Sequence, residues 1–303
     1  MRIYQLLLKY KITDFCTLPQ YKSSMFRGIF GNAFRKLVCV RKQERNCSKC
    51  GVATNCEFAK NFHNLNFTPN EVEDKYKKFS NFPPKFVFYI PEEKNEFNRH
   101  EKLEVYMTFW GAPRINFPLL YSVLQTMEDY PIDKRSNARL QLTQIIDSST
   151  GNYLYDDIIK MDTVQPMEIK AINTNITGGV IRFLTHCRIT NQRVRVSTEI
   201  NESIIGRRIQ ERLKLLSIDL ETPYQADWHY EELKITNKNL FWEEIKHYSN
   251  RQRQKLYLGG FIGVIYIECQ NQSFWKDLQK LEFMHIGSNA QSGYGKFKLA
   301  LKV

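Results

Sequence analysis

One element order, strand, helix, strand, strand, helix, strand, is written twice along these 303 residues, and nothing else in the chain limits its fold so tightly. In the first pass, Arg2–Tyr10 mixes Ile3, Leu6 and Leu8 with polar positions, as a strand does. Ser23 or Ser24 is the expected N-cap of a helix in which Phe26, Ile29, Phe30, Ala33, Phe34, Leu37 and Val38 recur at i, i+3, i+4 and i+7 as one buried stripe. Lys85–Ile90 and Lys102–Phe109 read as strands and Ile115–Met127 as a second helix. Leu140–Ile146 and Tyr153–Ile158 read as a hairpin about Ser148–Asn152.

The order restarts after Gln165-Pro166. Met167–Ile172 and Val180–Ile189 read as strands around Thr177-Gly178-Gly179, and Glu202–Leu216 as a helix. Strands at Trp228–Ile235 and Leu256–Cys269, a helix at Ser273–Met284 and a last strand at Lys296–Val303 complete the second pass. The predicted fold class is therefore α+β, as two tandem ferredoxin-like (RRM-like) domains, 1–165 and 166–303, with a cysteine-bearing insertion at 39–63 in the first.

The last helix and last strand are joined by a C-terminal glycine-rich loop, His285-Ile286-Gly287-Ser288-Asn289-Ala290-Gln291-Ser292-Gly293-Tyr294-Gly295-Lys296. Glycine reaches positive φ cheaply and permits close backbone approach, so such a loop can lay successive N–H groups against a phosphate chain, with Lys296 adding charge. A helix-to-strand setting differs from the strand-to-helix phosphate loop of nucleotide-binding enzymes.

A partner of that kind agrees with the charge. Lys and Arg outnumber Asp and Glu by 44 to 32, a formal charge of +12, which favours polyanions. The 13% aromatic content favours RNA, whose unstacked bases need ring platforms. No segment reaches the roughly 18 apolar residues of a membrane span, and the longest apolar run near the start, Leu6-Leu7-Leu8, is followed at once by Lys9, so a cytoplasmic protein without membrane partners is expected.

Seven cysteines, four of them between residues 39 and 56, suit a reducing compartment and a metal better than disulfides. Cys39, Cys47, Cys50 and Cys56 are spaced so that four thiolates can close a tetrahedral structural site, with zinc the first choice, an iron–sulfur cluster the second and unligated thiols the remaining alternative. His63 is a possible substitute ligand.

Arg251-Gln252-Arg253-Gln254-Lys255, Leu258-Gly259-Gly260-Phe261-Ile262-Gly263, His285-Ile286-Gly287 and Gly293-Tyr294-Gly295 together resemble the CRISPR-associated endoribonucleases of the Cas six family, within the RAMP superfamily. Arg27-Gly28-Ile29-Phe30-Gly31 running into the cysteines resembles one branch of that family, as does Arg182-Phe183-Leu184-Thr185, although His186 stands where that branch has proline. The resemblance implies binding of CRISPR repeat RNA by the glycine loop and its cleavage without a catalytic metal. The 2′-hydroxyl attacks the adjacent phosphate, leaving a 2′,3′-cyclic phosphate and a 5′-hydroxyl. CRISPR effector or adaptation proteins are expected partners, and a chain that ends almost directly on its last strand is expected to be open to a fused domain.

Many members carry a catalytic histidine on the first helix, and this chain has none before His63. His285 is the preferred acid–base candidate, with a helix-capping role as its alternative, and Tyr21 and Lys22 follow because they sit where the first helix begins. Expected RNA contacts are Arg27, Arg251 and Arg253 and, from the loop, Gly287, Ser288, Asn289, Gln291, Ser292, Gly293, Tyr294, Gly295 and Lys296; Arg207, Arg208 and Arg212 offer further phosphate contacts. His186, in a core strand, reads as a satisfied buried imidazole. A non-cleaving RNA-binding subunit of an effector complex is the alternative function.

Overall fold

The computed structural model describes residues 1–44, 46–63, 83–111, 116–160, 163–169, 175–191, 194–217, 223–249, 254–257 and 259–302. The chain divides into two compact units, the first taking in Met1–Glu168 and the second Ile169–Ser217 and Thr222–Val303.

Unit 1 is built on β1 (Ile3–Ile12), α1 (Lys22–Val38), α2 (Glu57–Phe62), β2 (Phe86–Tyr89), β3 (Lys102–Trp110), α3 (Phe117–Thr126) and β4 (Leu140–Asp147), followed by the short β5 (Tyr153–Asp156) and β6 (Ile158–Ile159). Its antiparallel sheet runs β2-β3-β1-β4-β5-β6, so the first strand lies between the third and the last of the β-α-β-β-α-β set. That is the ferredoxin-like order, extended at one edge. β1 is central because its Leu6, Leu8, Tyr10 and Ile12 are all fully buried.

Phe26, Phe30, Ala33 and Phe34 of α1 are fully buried, as the stripe predicts. Leu37 is not: it is 43% exposed, and the last turn packs against the core through Val38 instead. The helix also begins earlier than expected. Tyr21 occupies the N-cap without a side-chain bond, which places Ser23 inside the first turn. In α3, Asn116 accepts the Leu119 N–H at 2.9 Å and Pro118 occupies the first turn, where its missing N–H costs nothing. Phe30 ties the layers together, with its ring 5.2 Å from Phe86, 5.5 Å from Phe88 and 6.4 Å from Phe62 of α2.

Unit 2 repeats the plan with β7 (Gly178–Cys187), α4 (Glu202–Ser217), β8 (Lys234–Glu243), β9 (Gly260–Glu268), α5 (Gln272–Met284) and β10 (Phe297–Lys302). Its antiparallel sheet runs β8-β9-β7-β10. Ile181, Phe183, Ile265 and Ile267 point to the side covered by Ile205, Ile209 and Leu213 of α4 and Phe274, Trp275 and Leu278 of α5, all buried. His186 is buried, with Nε2 2.7 Å from Glu243 Oε2.

Three expected strands come out differently. Residues 167–169 carry no regular structure, and 170–172 lie outside the described residues. Trp228–Ile235 is not one strand, because the buried Trp228 donates Nε1–H to Asp277 Oδ2 at 3.0 Å and Glu232 accepts the His229 N–H, which bends Tyr230–Glu232 into a single 3₁₀ turn. The stretch 256–269 is divided as well: Gln254–Tyr257 pairs in a hairpin with Lys246–Ser249, and β9 begins only at Gly260.

Phe30→Ala should lower the stability of unit 1 by about 3–5 kcal/mol, the usual cost of emptying a fully buried phenylalanine site. Denaturant unfolding followed by near-ultraviolet circular dichroism would show this as an early loss of the aromatic signal, and an unchanged midpoint would contradict the packing described.

Candidate nucleic-acid interface

The glycine loop starts where α5 is stopped. His285 takes φ 61° and donates its N–H to Leu281 O at 2.8 Å, so the helix closes and the chain turns away. Arg212 of α4, 8% exposed, reaches across and donates Nη2–H to Met284 O at 3.1 Å and Nε–H to His285 O at 3.3 Å. Burial lowers its pKa to about 10, which leaves it cationic at neutral pH against the negative end of α5. Arg212 is thus a helix clamp, and the phosphate contact expected of it gives way to two carbonyls. Arg207 stacks on Tyr230 at 4.8 Å and donates to its hydroxyl at 3.1 Å, while Arg208 pairs with Glu211.

His285 is 1% exposed. Burial, followed by the nearby Lys296 and Arg212 charges, holds its imidazole well below the ordinary histidine pKa, against the opposing effect of a hydrogen bond with the Tyr294 backbone. The ring is neutral at physiological pH and sits inside the loop's base.

Beyond it the backbone folds on itself. Ile286 N–H donates to Gly295 O at 3.0 Å, Gly295 N–H to His186 O at 2.8 Å and Ser288 N–H to Arg188 O at 2.8 Å. Ser292 and Gly293 close a 3₁₀ turn onto Asn289 and Ala290, the Thr185 hydroxyl donates to Gly293 O at 2.8 Å, and the Lys296 N–H donates back to Thr185 Oγ1 at 2.9 Å. The glycines answer to this packing. A Cβ on Gly295, at φ 69°, would stand 1.8 Å from Ile286 O, and one on Gly287, at φ 83°, 2.6 Å from Arg188 O. Gly293, Tyr294, Gly295 and Lys296 are buried, whereas Ser288 is exposed and Gly287, Asn289, Gln291 and Ser292 are half-buried. The surface the loop offers a ligand is its outer stretch, Gly287–Ser292.

Lys296 is 9% exposed and donates Nζ–H to Glu282 O, with the Phe283 ring 5.7 Å away. Burial brings its pKa down to about 8. In unit 1, Lys22 is 2% exposed, donates to Asn95 Oδ1 at 3.3 Å and is likewise shifted down by burial; Tyr21 beside it is half-buried. The Arg27 guanidinium lies 4.7 Å over the Phe62 ring, its pKa lowered to about 10 by desolvation. Arg251 and Arg253 lie outside the described residues.

The four clustered cysteines sit on a knuckle between α1 and α2. Cys39 closes α1, Cys47–Lys49 and Ala53–Asn55 each make one 3₁₀ turn, and Cys50 and Cys56 close those turns. Arg35 holds the entrance by donating Nη2–H to Lys42 O at 3.0 Å and Glu44 O at 2.7 Å. All four thiols are half-buried and free of disulfides. Burial raises the Cys47 thiol pKa, with Cys39, Cys50 and Cys56 near enough to add to the effect. Among the described residues, no group of three or more His, Cys, Asp or Glu side chains is arranged to hold a metal ion. The His63 ring lies edge-on to Phe58 and Phe62, 5.2 Å from each.

Sequence reasoning passed over Asp277. This buried carboxylate accepts from Tyr224 at 2.6 Å, Trp228 at 3.0 Å and Lys280 at 3.0 Å, and so anchors the segment before β8 to α5. It falls on the buried stripe of α5, three residues after Phe274 and four before Leu281, so periodicity did signal its burial and only its charge concealed it.

Gly295→Ala should destabilise unit 2 by more than about 1–2 kcal/mol, since a left-handed conformation and a backbone collision coincide there. Ser288→Ala, on the exposed side of the same loop, should change stability by less than about 0.5 kcal/mol. Thermal unfolding of the two variants side by side measures the contrast.

Residues 1–170 match the family model AF_1859_N, an N-terminal domain. No curated protein matches the chain. Among solved structures it is similar to a partial Cas6-RT-Cas1–Cas2 complex, at TM-score 0.61 and 10% identity over 100% of this chain and 46% of that one. It is also similar to a Cas6 product complex, at 0.57 and 13% over 98% and 100%, and to Thermus thermophilus Cas6, at 0.52 and 12% over 99% and 98%. The chain therefore spans less than half the length of the first. At such identities the likeness shows the fold, tandem ferredoxin-like units as in Cas6, and does not single out the cysteine-bearing branch. Among the described residues, no helix is long and apolar enough to cross a membrane. With the match covering more than half of its length, the chain belongs to the AF_1859_N family and carries a Cas6-like fold.

Proposed function

We propose that this protein binds CRISPR repeat RNA and cuts it in the precursor transcript to release guide RNAs. The observation that carries the reading is the loop: in the second of two ferredoxin-like units, between the last helix and the last strand, a rigidly packed base presents Gly287–Ser292 outward. The Cas6-like fold and the +12 charge support it.

Cleavage would need no metal. The 2′-oxygen loses its proton and bonds to the adjacent phosphorus, the bond from phosphorus to the 5′-oxygen breaks, and that oxygen takes a proton, giving a 2′,3′-cyclic phosphate and a 5′-hydroxyl. The protein has to align attack, move two protons and stabilise charge on the phosphorane. We read the buried, neutral His285 as a positioning residue that shapes the loop, the half-buried Tyr21 as the group for proton transfer, and Lys22, 2% exposed, as a buried charge that positions Tyr21. The burial of His285 and the absence of a histidine from α1 also favour the second reading, a repeat-binding subunit that does not cut.

We further propose that Cys39, Cys47, Cys50 and Cys56 hold a structural zinc ion, with an iron–sulfur cluster as the second choice. Four half-buried thiols lie within eighteen residues and would have to draw together around the ion, which would contribute folding energy to the knuckle rather than chemistry. Because the chain spans 46% of the Cas6-RT-Cas1–Cas2 protein, action beside adaptation proteins or as part of a larger fusion belongs to the same proposal.

A 2′-deoxy substitution just upstream of the cut should abolish cleavage and spare binding, and cleavage should persist in EDTA; end-group analysis of the products reads both. Normal cutting of the deoxy substrate would end the mechanism, and binding without cutting would establish the second reading. His285→Ala should weaken RNA binding while the saturating single-turnover rate holds, whereas a fall of roughly a hundredfold in that rate at unchanged affinity would return it to proton transfer. Anaerobically purified protein should contain one equivalent of metal or one cluster, and Cys47→Ser should lower the melting temperature of unit 1. Substoichiometric metal rejects the site.

A further inference from the structure

The sheet of unit 2 has α4 and α5 on one side only, and its other face is unlike an ordinary solvated surface. Side chains alternate along a strand, so with Ile181, Phe183, Ile265 and Ile267 turned inward, Arg182, Leu184, Val264 and Tyr266 turn outward. Register places Asn239, Val264, Arg182 and Lys298 in one row across all four strands. On one side of that row stands Tyr266, 40% exposed, opposite Asn237; on the other stands Phe241, 58% exposed, opposite Ile262. Leu184, 38% exposed, borders the row, so three of the nine large apolar side chains exposed among the described residues share this one face.

Strand rise and strand spacing put the two rings roughly 14 Å apart, too far to serve a single base. Asn239 lies between them, with Asn237 opposite Tyr266 and the Arg182 guanidinium one strand beyond Val264, all three exposed. Rings for stacking, a cation for phosphate and amides for base edges are the components of a single-stranded RNA platform. The face is also continuous with the glycine loop: Leu184 N–H donates to Lys296 O at 2.8 Å, and the Thr185 hydroxyl to Gly293 O.

We infer that the open face of the unit 2 sheet, through Phe241, Tyr266 and Arg182, is a second RNA site that takes an unpaired segment by base stacking. This rests on the RNA-binding reading above and adds to it a site distinct from the loop. Lys298 is held by Glu282 at 2.9 Å, which leaves Arg182 as the cation of the row.

The test is binding of the full chain to a short fluorescein-labelled oligouridylate, which cannot form a hairpin, measured by anisotropy. Phe241→Leu and Tyr266→Leu should each weaken binding about tenfold or more, because leucine keeps the apolar area and loses the stacking plane. Phe241→Tyr and Tyr266→Phe should restore it, and Arg182→Gln should flatten the salt dependence. Leucine variants that bind like the wild type overturn the inference, as does a change of oligomeric state with RNA affinity unaltered, which would make the face a contact between copies. Wild-type protein that cuts repeat RNA but ignores oligouridylate also overturns it and leaves the proposed function standing; protein that binds neither RNA ends both. Should the variants fail to fold, photocrosslinking of iodouridine RNA to the wild type decides: adducts on Phe241 or Tyr266 support the site, and adducts confined to other residues reject it.

Discussion

Much of unit 2 depends on one buried cation. Arg212 satisfies the carbonyls of Met284, the last residue of α5, and of His285, its C-cap, and a guanidinium taken out of water is stable there because it meets the helix's negative end and two acceptors at once. The clamp fixes where α5 stops, and so where His285 turns and where Ile286 can meet Gly295. From that pairing follow the return of the chain over His186 and the entry of β10 beside β7. Were Arg212 neutral and shorter, two helix-end carbonyls would be buried without partners, a cost in the range of 1–3 kcal/mol for each.

Unit 1 is held by a different means. Its layers meet through phenylalanine rings from α1, α2 and β2, and the knuckle between α1 and α2 is pinned by Arg35 at its entrance and by the stacked Phe58 and Phe62 at its exit, 5.0 Å apart. The cysteines therefore lie on a segment whose two ends are already fixed. A metal there would tighten turns that the backbone has begun to form.

The repeated element order was legible because its signal is periodic: the α1 stripe, the α5 stripe and the alternation in β1 each involve several residues that agree. His186 was legible for the same reason, as a polar residue in an otherwise buried strand. What escaped depended on partners distant in sequence. Nothing local to Trp228 announces Asp277, and nothing local to Arg212 announces the end of α5, so one read as the start of a strand and the other as a phosphate contact. The loop shows the same limit more sharply. Three glycines announce unusual backbone, but only the positions of the Ile286 and Arg188 carbonyls say that the backbone they accommodate is the protein's own. Local cues at Asn116 and Pro118 were present and give the true start of α3.

The strand order of unit 2 also governs when that unit can form. Its central strand, β7, finds β9 on one side and β10 on the other, and the contacts that lock β10 and the loop in place join Thr185 to residues 108 and 111 positions later. Closing so long a stretch is entropically slow, and none of the gain arrives until the last elements are present. During synthesis Met1–Glu168, with every strand of the first unit's sheet, has emerged while the second unit still displays an unfinished sheet. The face carrying Phe241 and Tyr266 and the open flank of β7 would then be exposed together, so the chain is most open to wrong pairing in the interval before β10 emerges.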